Sequence, residues 1–201
     1  LDADEGHLFI RPGGELRARA REACSQEERE KHKRLERIAE ESGAEAEDGT
    51  RVSLLANVNI HNDAVRARRG GAQGIGLYRS EFPFLIRNEF LSEEQQYRLY
   101  RQVVSAFPEG EVVLRTADIG GDKLMAGQEE EERNPFLGVR GIRFSLAYPE
   151  EFRTQIRAML RSGADRGLRI MFPMVSSVDE VSRGREMVEQ ARMELEKEGI
   201  P

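Results

Sequence analysis

The sequence predicts an α/β fold built on a parallel sheet, and three observations carry that expectation. Four short apolar runs, at residues 52–57, 74–78, 112–116 and 168–172, have strand character. Each is followed by a stretch with helical apolar spacing or helix-start chemistry, at 62–69, 92–106, 149–163 and 178–198. Strand then helix, four times over, implies parallel pairing through right-handed crossovers. No internal repeat of about 20 to 50 residues points to a solenoid instead.

Taken in order, Leu8-Phe-Ile10 before Arg-Pro-Gly-Gly14 reads as a short strand ending in a turn. Residues 15–42 contain no Gly or Pro, and Leu16, Ala20, Ala23, Leu35 and Ile38 are sparse among charges. They predict a long polar helix or helical hairpin that acts as a connector. A polar break follows at 42–49. The expected division is therefore a strand plus helical linker at 1–48 and the sheet domain at 49–201. The first helix of that domain is expected to be capped by Asn57 or Asn59, with His61 in a similar role, and closed by Gly70-Gly71. Ser92 with Gln95 forms a capping-box pattern. The helix at 149–163 places Phe152, Ile156, Met159 and Leu160 on one face. The last helix carries the stripe Val181, Met187, Val188, Ala191 and Leu195. A doubly wound sheet and a β/α barrel both fit this pattern, since four units are half of the eight in a full barrel.

Composition sets limits. With 31 Lys and Arg against 37 Asp and Glu, the net charge of −6 argues against nonspecific nucleic-acid binding. One cysteine, Cys24, allows no disulfide within the chain, and with His7, His32 and His61 it makes no zinc pattern. No signal peptide and no apolar run of membrane-spanning length is seen, so no membrane is expected and the cytoplasm is the expected compartment. The chain starts at Leu1 and stops at Gly199-Ile-Pro201, and both ends are expected to be cuts in something longer. No G-x-G-x-x-G or Walker motif occurs.

The chemistry concentrates on three arginines. Val112-Val-Leu-Arg-Thr-Ala-Asp-Ile-Gly-Gly-Asp-Lys123 runs a strand into Arg115 and then a Gly-rich loop. Arg79 follows Gly74-Ile-Gly-Leu-Tyr78, and Arg140 lies in Asn-Pro-Phe-Leu-Gly-Val-Arg-Gly-Ile-Arg. Ligands bind at the carboxyl ends of parallel strands, so Arg79 and Arg115 are expected on one rim, with Arg140 able to fold back to it. A guanidinium stays charged and forks onto two oxygens, which suits a small phosphorylated anion. The plainer reading of these arginines is ion pairing, Arg79 with Glu81 and Arg115 with Asp118; Arg143 is read as structural. Gly120-Gly121 has two readings, a tight turn or backbone N–H groups presented to an anion. Lys123 is read as an exposed loop residue, Cys24 as inert, and Glu129–Glu132 as a solvated acidic loop rather than a metal cage.

Gly74-Ile-Gly-Leu-Tyr-Arg-Ser-Glu-Phe82, Arg115-Thr-Ala-Asp-Ile-Gly-Gly-Asp-Lys123 and Asn134-Pro-Phe-Leu-Gly-Val-Arg-Gly-Ile-Arg143 resemble successive motifs of the phosphoenolpyruvate-utilising enzymes. Gln155-Ile-Arg-Ala-Met-Leu-Arg161 and Ile170-Met-Phe-Pro-Met174 continue the match in order, over about residues 50–201. Asp-Ile-Gly-Gly-Asp-Lys resembles the phosphoenolpyruvate–protein phosphotransferases, enzyme I of the phosphotransferase system, more than pyruvate phosphate dikinase. Pro83-Phe-Leu-Ile-Arg87 resembles their nitrogen-regulatory branch. Ser80 stands where the family usually has threonine, and Leu124-Met-Ala-Gly-Gln-Glu lacks the family's proline and aromatic.

The resemblance implies the first half of a TIM-type (β/α)8 barrel that binds phosphoenolpyruvate and Mg²⁺. It assigns Arg79, Arg115 and Arg140 to the substrate's phosphoryl and carboxylate oxygens. It places the metal ligands, the enolate-protonating cysteine and the phospho-accepting histidine outside this chain, so the fragment alone is expected to be inactive. It also implies an HPr-like phosphocarrier partner and a homodimeric parent. The competing readings are a fragment of pyruvate phosphate dikinase or phosphoenolpyruvate synthase, a non-catalytic module that binds a phosphorylated metabolite, and a helical interaction module centred on 15–42.

Overall fold

The computed structural model describes residues 10, 13–40, 44–120 and 138–200. The expected strand at 8–10 lies almost wholly outside them. So do Gly121, Lys123, the acidic run at 129–132 and the Asn-Pro-Phe-Leu stretch at 134–137. Two compact units divide the chain: Leu1–Ser42 with Arg69–Gly71, and Gly43–Arg68 with Ala72–Pro201.

The first unit holds α1 (Gly14–Glu40), one continuous helix rather than a hairpin. Ala, Arg, Glu and Lys dominate it, and these are strong helix formers. Leu16 is half-buried and Cys24 is exposed.

The second unit opens with a hairpin of β1 (Ala44–Glu45) and β2 (Arg51–Val52), paired antiparallel. The Asp48 carboxylate accepts from the Thr50 N–H across its turn. Next comes β3 (Leu55–Val58). The single buried strand expected at 52–57 is thus corrected to two pieces. Leu54 exchanges bonds with Gln73 instead of continuing a ladder, and Val52 and Leu54 are exposed. Full burial in this region falls on Val58, past the expected end of the strand.

After β3 the chain alternates: α2 (His61–Arg69), β4 (Gly74–Arg79), α3 (Phe82–Arg87), α4 (Glu93–Ser105), β5 (Val112–Arg115), α5 (Ile142–Ala147), α6 (Pro149–Ser162), β6 (Leu168–Met171) and α7 (Val178–Lys197). Strands β3 to β6 form one parallel sheet in that order. A doubly wound sheet reverses its strand order at a switch point, and these four strands do not.

Helix starts follow local chemistry. Ser92 and Gln95 form both bonds of the expected capping box, and Ser177 with Glu180 forms a second. At α2 the expectation is corrected. The Asp63 carboxylate reaches back to the Asn59 and Ile60 N–H groups, the work assigned to Asn57 or Asn59.

Alternation along the strands sends one set of side chains into the helix layer. Val58, Ile75, Tyr78, Val112 and Leu114 pack with Ala64 of α2, Tyr100, Val103 and Val104 of α4, and Ala158 and Met159 of α6. Each fully buried Val, Ile or Leu there contributes about 1.5–3 kcal/mol. A register shift in β4 between Ile75 and Tyr78 lets both face the helices. The opposite face carries Leu55, Leu77, Val113 and Met171; Leu55 and Met171 are 37% and 36% exposed. Parallel sheets are ordinarily covered on both faces.

Candidate functional site

The register shift has a consequence at the carboxyl ends of β4 and β5. Tyr78 pairs with Leu114 and Arg79 with Arg115. Since Tyr78 and Leu114 both point into the helix layer, the two arginines leave the sheet together on its other face. They are neighbours on one rim.

The Arg115 side chain is only 15% exposed. One terminal nitrogen donates to Glu81, and the other lies 3.4 Å from Asp118. Asp118 in turn accepts from Arg140 Nε and pairs with its terminal nitrogen, each at 3.0 Å. An isolated bridge between Gly120 and Arg140 folds this segment back onto the loop after β5. One carboxylate therefore ties Arg140 to Arg115. Glu81 takes Arg115 across the sheet, not Arg79 as sequence proximity had indicated. No ion pair of Arg79 is found among the described residues, and the residue is exposed at the strand end.

The loop carrying Arg140 is braced from β6. Gly141 sits at φ +59°, where a Cβ would come within 2.8 Å of the Pro173 carbonyl. Ile142 N–H donates to that same carbonyl at 3.0 Å. Met174 beside it has φ +60°, an uncommon conformation for a bulky side chain. Arg143 points elsewhere, with Nε 3.9 Å from Glu180.

Beneath the rim lies a buried polar chain. Ala117 N–H donates to Gln155 Oε1 at 2.9 Å, and Gln155 Nε2 donates to Ser80 Oγ at 3.1 Å and Tyr100 Oη at 3.0 Å. Ser80 donates to the Arg115 carbonyl at 2.6 Å, and Tyr100 donates to Gln96 Oε1 at 2.9 Å. Burial holds the Tyr100 phenol well above its ordinary pKa, so it stays neutral. In the sequence, Ser80 and Gln155 are named only within family motifs, and no such role is assigned to them, to Tyr100 or to Gln96. A signal existed: Gln155 interrupts the apolar face of its helix between Phe152 and Ile156.

Three buried polar atoms of the rim, Glu81 Oε2, Arg115 Nε and Thr116 Oγ1, make no hydrogen bond. Each such group costs about 1–3 kcal/mol when left unmet, so the rim holds unused capacity for a polar partner. Among the described residues, the guanidiniums of Arg115 and Arg140 face Glu81 and Asp118, and Arg79 is the register neighbour of Arg115. Forked donors with unmet hydrogen-bonding capacity beside them are chemistry that suits a small anion.

The same residues do not suit a divalent cation. Glu81 and Asp118 are engaged by arginines, and no group of three or more His, Cys, Asp or Glu side chains converges among the described residues. His61 Nδ1 lies 3.1 Å from the Gln102 carbonyl, a packing contact between α2 and α4.

Comparison with known proteins gives this geometry a family. The family model described as PEP-utilising enzyme, PEP-binding domain, matches residues 33–201. A protein named phosphoenolpyruvate-protein phosphotransferase from Staphylococcus carnosus (strain TM300) is 39% identical over 200 residues, covering 99% of this chain and 35% of the relative. One of the same name from Mycoplasma capricolum is 45% identical over 148 residues, 73% of this chain and 26% of the relative. Another, from Haemophilus influenzae, is 39% identical over 202 residues, 99% of this chain and 34% of the relative. The chain spans about a third of the length of these curated relatives. With the motifs in order and the match running from residue 33 to the end, the chain belongs to the phosphoenolpyruvate-utilising enzymes, through their PEP-binding domain.

Proposed function

We propose that this chain is the first half of the substrate barrel of a phosphoenolpyruvate–protein phosphotransferase, and that Arg79, Arg115 and Arg140 hold phosphoenolpyruvate. One observation carries the reading. Arg79 and Arg115 are register partners at the ends of adjacent parallel strands, and Asp118 joins Arg140 to Arg115. Phosphoenolpyruvate carries a phosphoryl group and a carboxylate close together. Forked, permanently charged donors match both, and three of them fix the molecule's orientation. In phosphoryl transfer the charge on the transferred group's oxygens must be neutralised while it moves in line between donor and acceptor. The rim supplies that neutralisation and leaves the acceptor to come from outside.

The barrel reading has its own support. Four strands in unreversed order, with one face packed on helices and the other half-exposed, call for closure by further strands. In the parent protein the phosphoryl group then passes to a histidine on a separate domain and on to an HPr-like phosphocarrier. The parent is a homodimer of the cytoplasm in this reading, within the nitrogen-regulatory branch. No helix among the described residues is long and apolar enough to cross a membrane. The Mg²⁺ ligands belong to the rest of the parent, and no step at this site is assigned to them.

The test is titration calorimetry of the chain with phosphoenolpyruvate, with and without Mg²⁺. Saturable binding that weakens with salt and disappears in Arg115→Met is expected. Absence of binding overturns the reading, and tight binding indifferent to Mg²⁺ favours a non-catalytic metabolite-binding module. The isolated chain is expected to show no turnover; phosphorylation of a carrier protein by it alone would contradict that. The open sheet face and the edges of β3 and β6 are expected to drive self-association, read by sedimentation. A compact, highly stable monomer would count against the half-barrel.

A further inference from the structure

We infer that Ser80, Gln155 and Tyr100 are positioning residues that set Arg115 and Thr116 in place from behind, by fixing the main chain that carries them. The inference rests on the reading of Arg115 as a phosphoenolpyruvate ligand.

The argument is one of direction. Ala117 N–H can only donate, so the Gln155 atom facing it must be the carboxamide oxygen. Its nitrogen then has two protons, and two acceptors stand in reach, Ser80 Oγ and Tyr100 Oη. Having accepted, Ser80 gives its proton to the Arg115 carbonyl and Tyr100 gives its own to Gln96 Oε1. Gln96 Nε2 ends the chain on the Leu91 carbonyl at 2.8 Å. Each bond fixes the sense of the next, and no second arrangement satisfies Ala117.

Placement gives the chain its purpose. Its two contacts with β5's exit are the carbonyl of Arg115 and the amide of Ala117, the two sides of Thr116. A third bond, Thr116 N–H to the Met171 carbonyl at 3.0 Å, holds the same segment from β6. Three consecutive residues are thus pinned at the point where the strand ends and the ligand-facing side chains begin. Ser80, Gln155 and Tyr100 are 0%, 4% and 1% exposed, so water does not compete for these bonds. Meanwhile Arg115 Nε and Thr116 Oγ1 are buried without partners on the segment so held. The main chain is satisfied and the side chains are left for something else.

Ser80 sits next to Arg79, so one residue couples the exits of both strands. A side chain that donates to the Arg115 carbonyl needs a hydroxyl on Cβ, which Ser and Thr share and Ala lacks.

The experiment measures phosphoenolpyruvate affinity of the full chain by calorimetry for the wild type, Ser80→Ala, Ser80→Thr, Gln155→Leu, Tyr100→Phe and Val104→Ala. Ser80→Ala and Gln155→Leu are expected to weaken binding about fivefold, the scale of one net hydrogen bond. Ser80→Thr is expected to restore it. Tyr100→Phe, which keeps the ring, should weaken it less. Val104→Ala cuts a cavity in the core away from the chain of bonds, so it lowers the melting temperature while leaving affinity unchanged. Faster exchange of the Ala117 amide in Gln155→Leu reports the loosened segment. If Gln155→Leu does not fold, Ser80→Ala against Ser80→Thr decides alone. Wild-type affinity in Ser80→Ala overturns the inference, as does equal weakening in Val104→Ala. Absence of binding by the wild type overturns instead the substrate reading beneath it.

Discussion

Two arginine clusters in the same unit use the same chemistry to opposite ends. Between α4, α6 and α7, Arg153, Arg157 and Arg161 meet Glu93, Glu94, Glu150, Glu194 and Glu198. Arg157, 7% exposed at its side chain, touches three of those carboxylates, and Arg161 also lies 4.3 Å from the centre of the Tyr97 ring. At the rim, Arg115 and Arg140 meet Glu81 and Asp118 among the described residues, and Arg115 keeps an unbonded Nε. The helical cluster is saturated with negative charge and closes on itself. The rim cluster leaves Glu81 Oε2 and Arg115 Nε buried without a hydrogen bond. On the proposed reading, unmet hydrogen-bonding capacity, rather than residue type or burial, separates an arginine that holds helices together from one that takes a ligand.

The largest effect that would sharpen this contrast is expected from Arg157→Met. Methionine fills much of the same space but takes from Glu198 its one arginine and from Glu93 and Glu194 one of two. Breaking a buried ion pair from one side costs several kcal/mol, and about 3 kcal/mol of unfolding free energy is expected here. Phosphoenolpyruvate affinity should not change. A urea denaturation curve and a calorimetric titration on the same sample check both halves. Loss of binding without loss of stability would erase the distinction between the clusters.

The same cluster predicts an acid limb. Burial alone would raise the Glu93 pKa, but hydrogen bonds from Arg157 and Arg161 outweigh it and hold the carboxyl below its ordinary range. The Arg153 hydrogen bond does the same for Glu194. A carboxylate with a depressed folded pKa stabilises the protein above the unfolded value of about 4.3, and that stability is lost as pH falls through the folded value. Stability is therefore expected to be flat near neutrality and to fall below about pH 4. In Arg157→Met the fall should be shallower, because part of the difference is already gone. Denaturant midpoints across that range measure it; identical acid limbs in both proteins would place the sensitivity elsewhere.

Arg115→Lys tests the rim from the other side. Lysine keeps the charge and gives up the fork, so it can no longer span Glu81 and a ligand oxygen with fixed geometry. Charge-assisted bonds are worth about 1.5–3 kcal/mol, and affinity for phosphoenolpyruvate is expected to fall about thirtyfold. Stability should drop far less than in Arg157→Met. If lysine binds as well as arginine, the rim acts through charge alone.

How far the residues announced this is uneven, and the reason is length. Strands and helices with several periods of apolar spacing were legible: α4, α6, β6 and α7 fall within a residue or two of expectation. The hairpin at 44–52 was not, because two-residue strands carry no period. Helices α3 and α5 have six residues each, and α3 stops at Asn88 in the left-handed region, a local event no pattern marks. At the rim, strand-end position led to Arg79 and Arg115, but the partner of Glu81 was misread. Neighbours in sequence are not neighbours across a sheet, and the register that brings Glu81 to Arg115 depends on an irregularity inside β4. The polar chain behind the rim was missed for a related reason: Ser80, Tyr100 and Gln155 come from three separate elements and meet only in the fold.

The smallest effect on the fold, and the cleanest separation of the two kinds of arginine, is expected at Arg79. Its side chain has no ion pair among the described residues, so Arg79→Gln breaks nothing that holds the protein together. Surface changes of that kind stay within about 0.5 kcal/mol. Yet the position lies beside Arg115 in register, at the carboxyl end of the adjacent strand. If Arg79 supplies one of the forks that grip phosphoenolpyruvate, its loss removes about 1.4 kcal/mol of binding, a tenfold weaker titration. Melting temperature and calorimetry, run together, should therefore diverge. An unchanged affinity in Arg79→Gln would take Arg79 out of the proposed site and leave the rim to Arg115 and Arg140, each tied to a carboxylate as the helical arginines are.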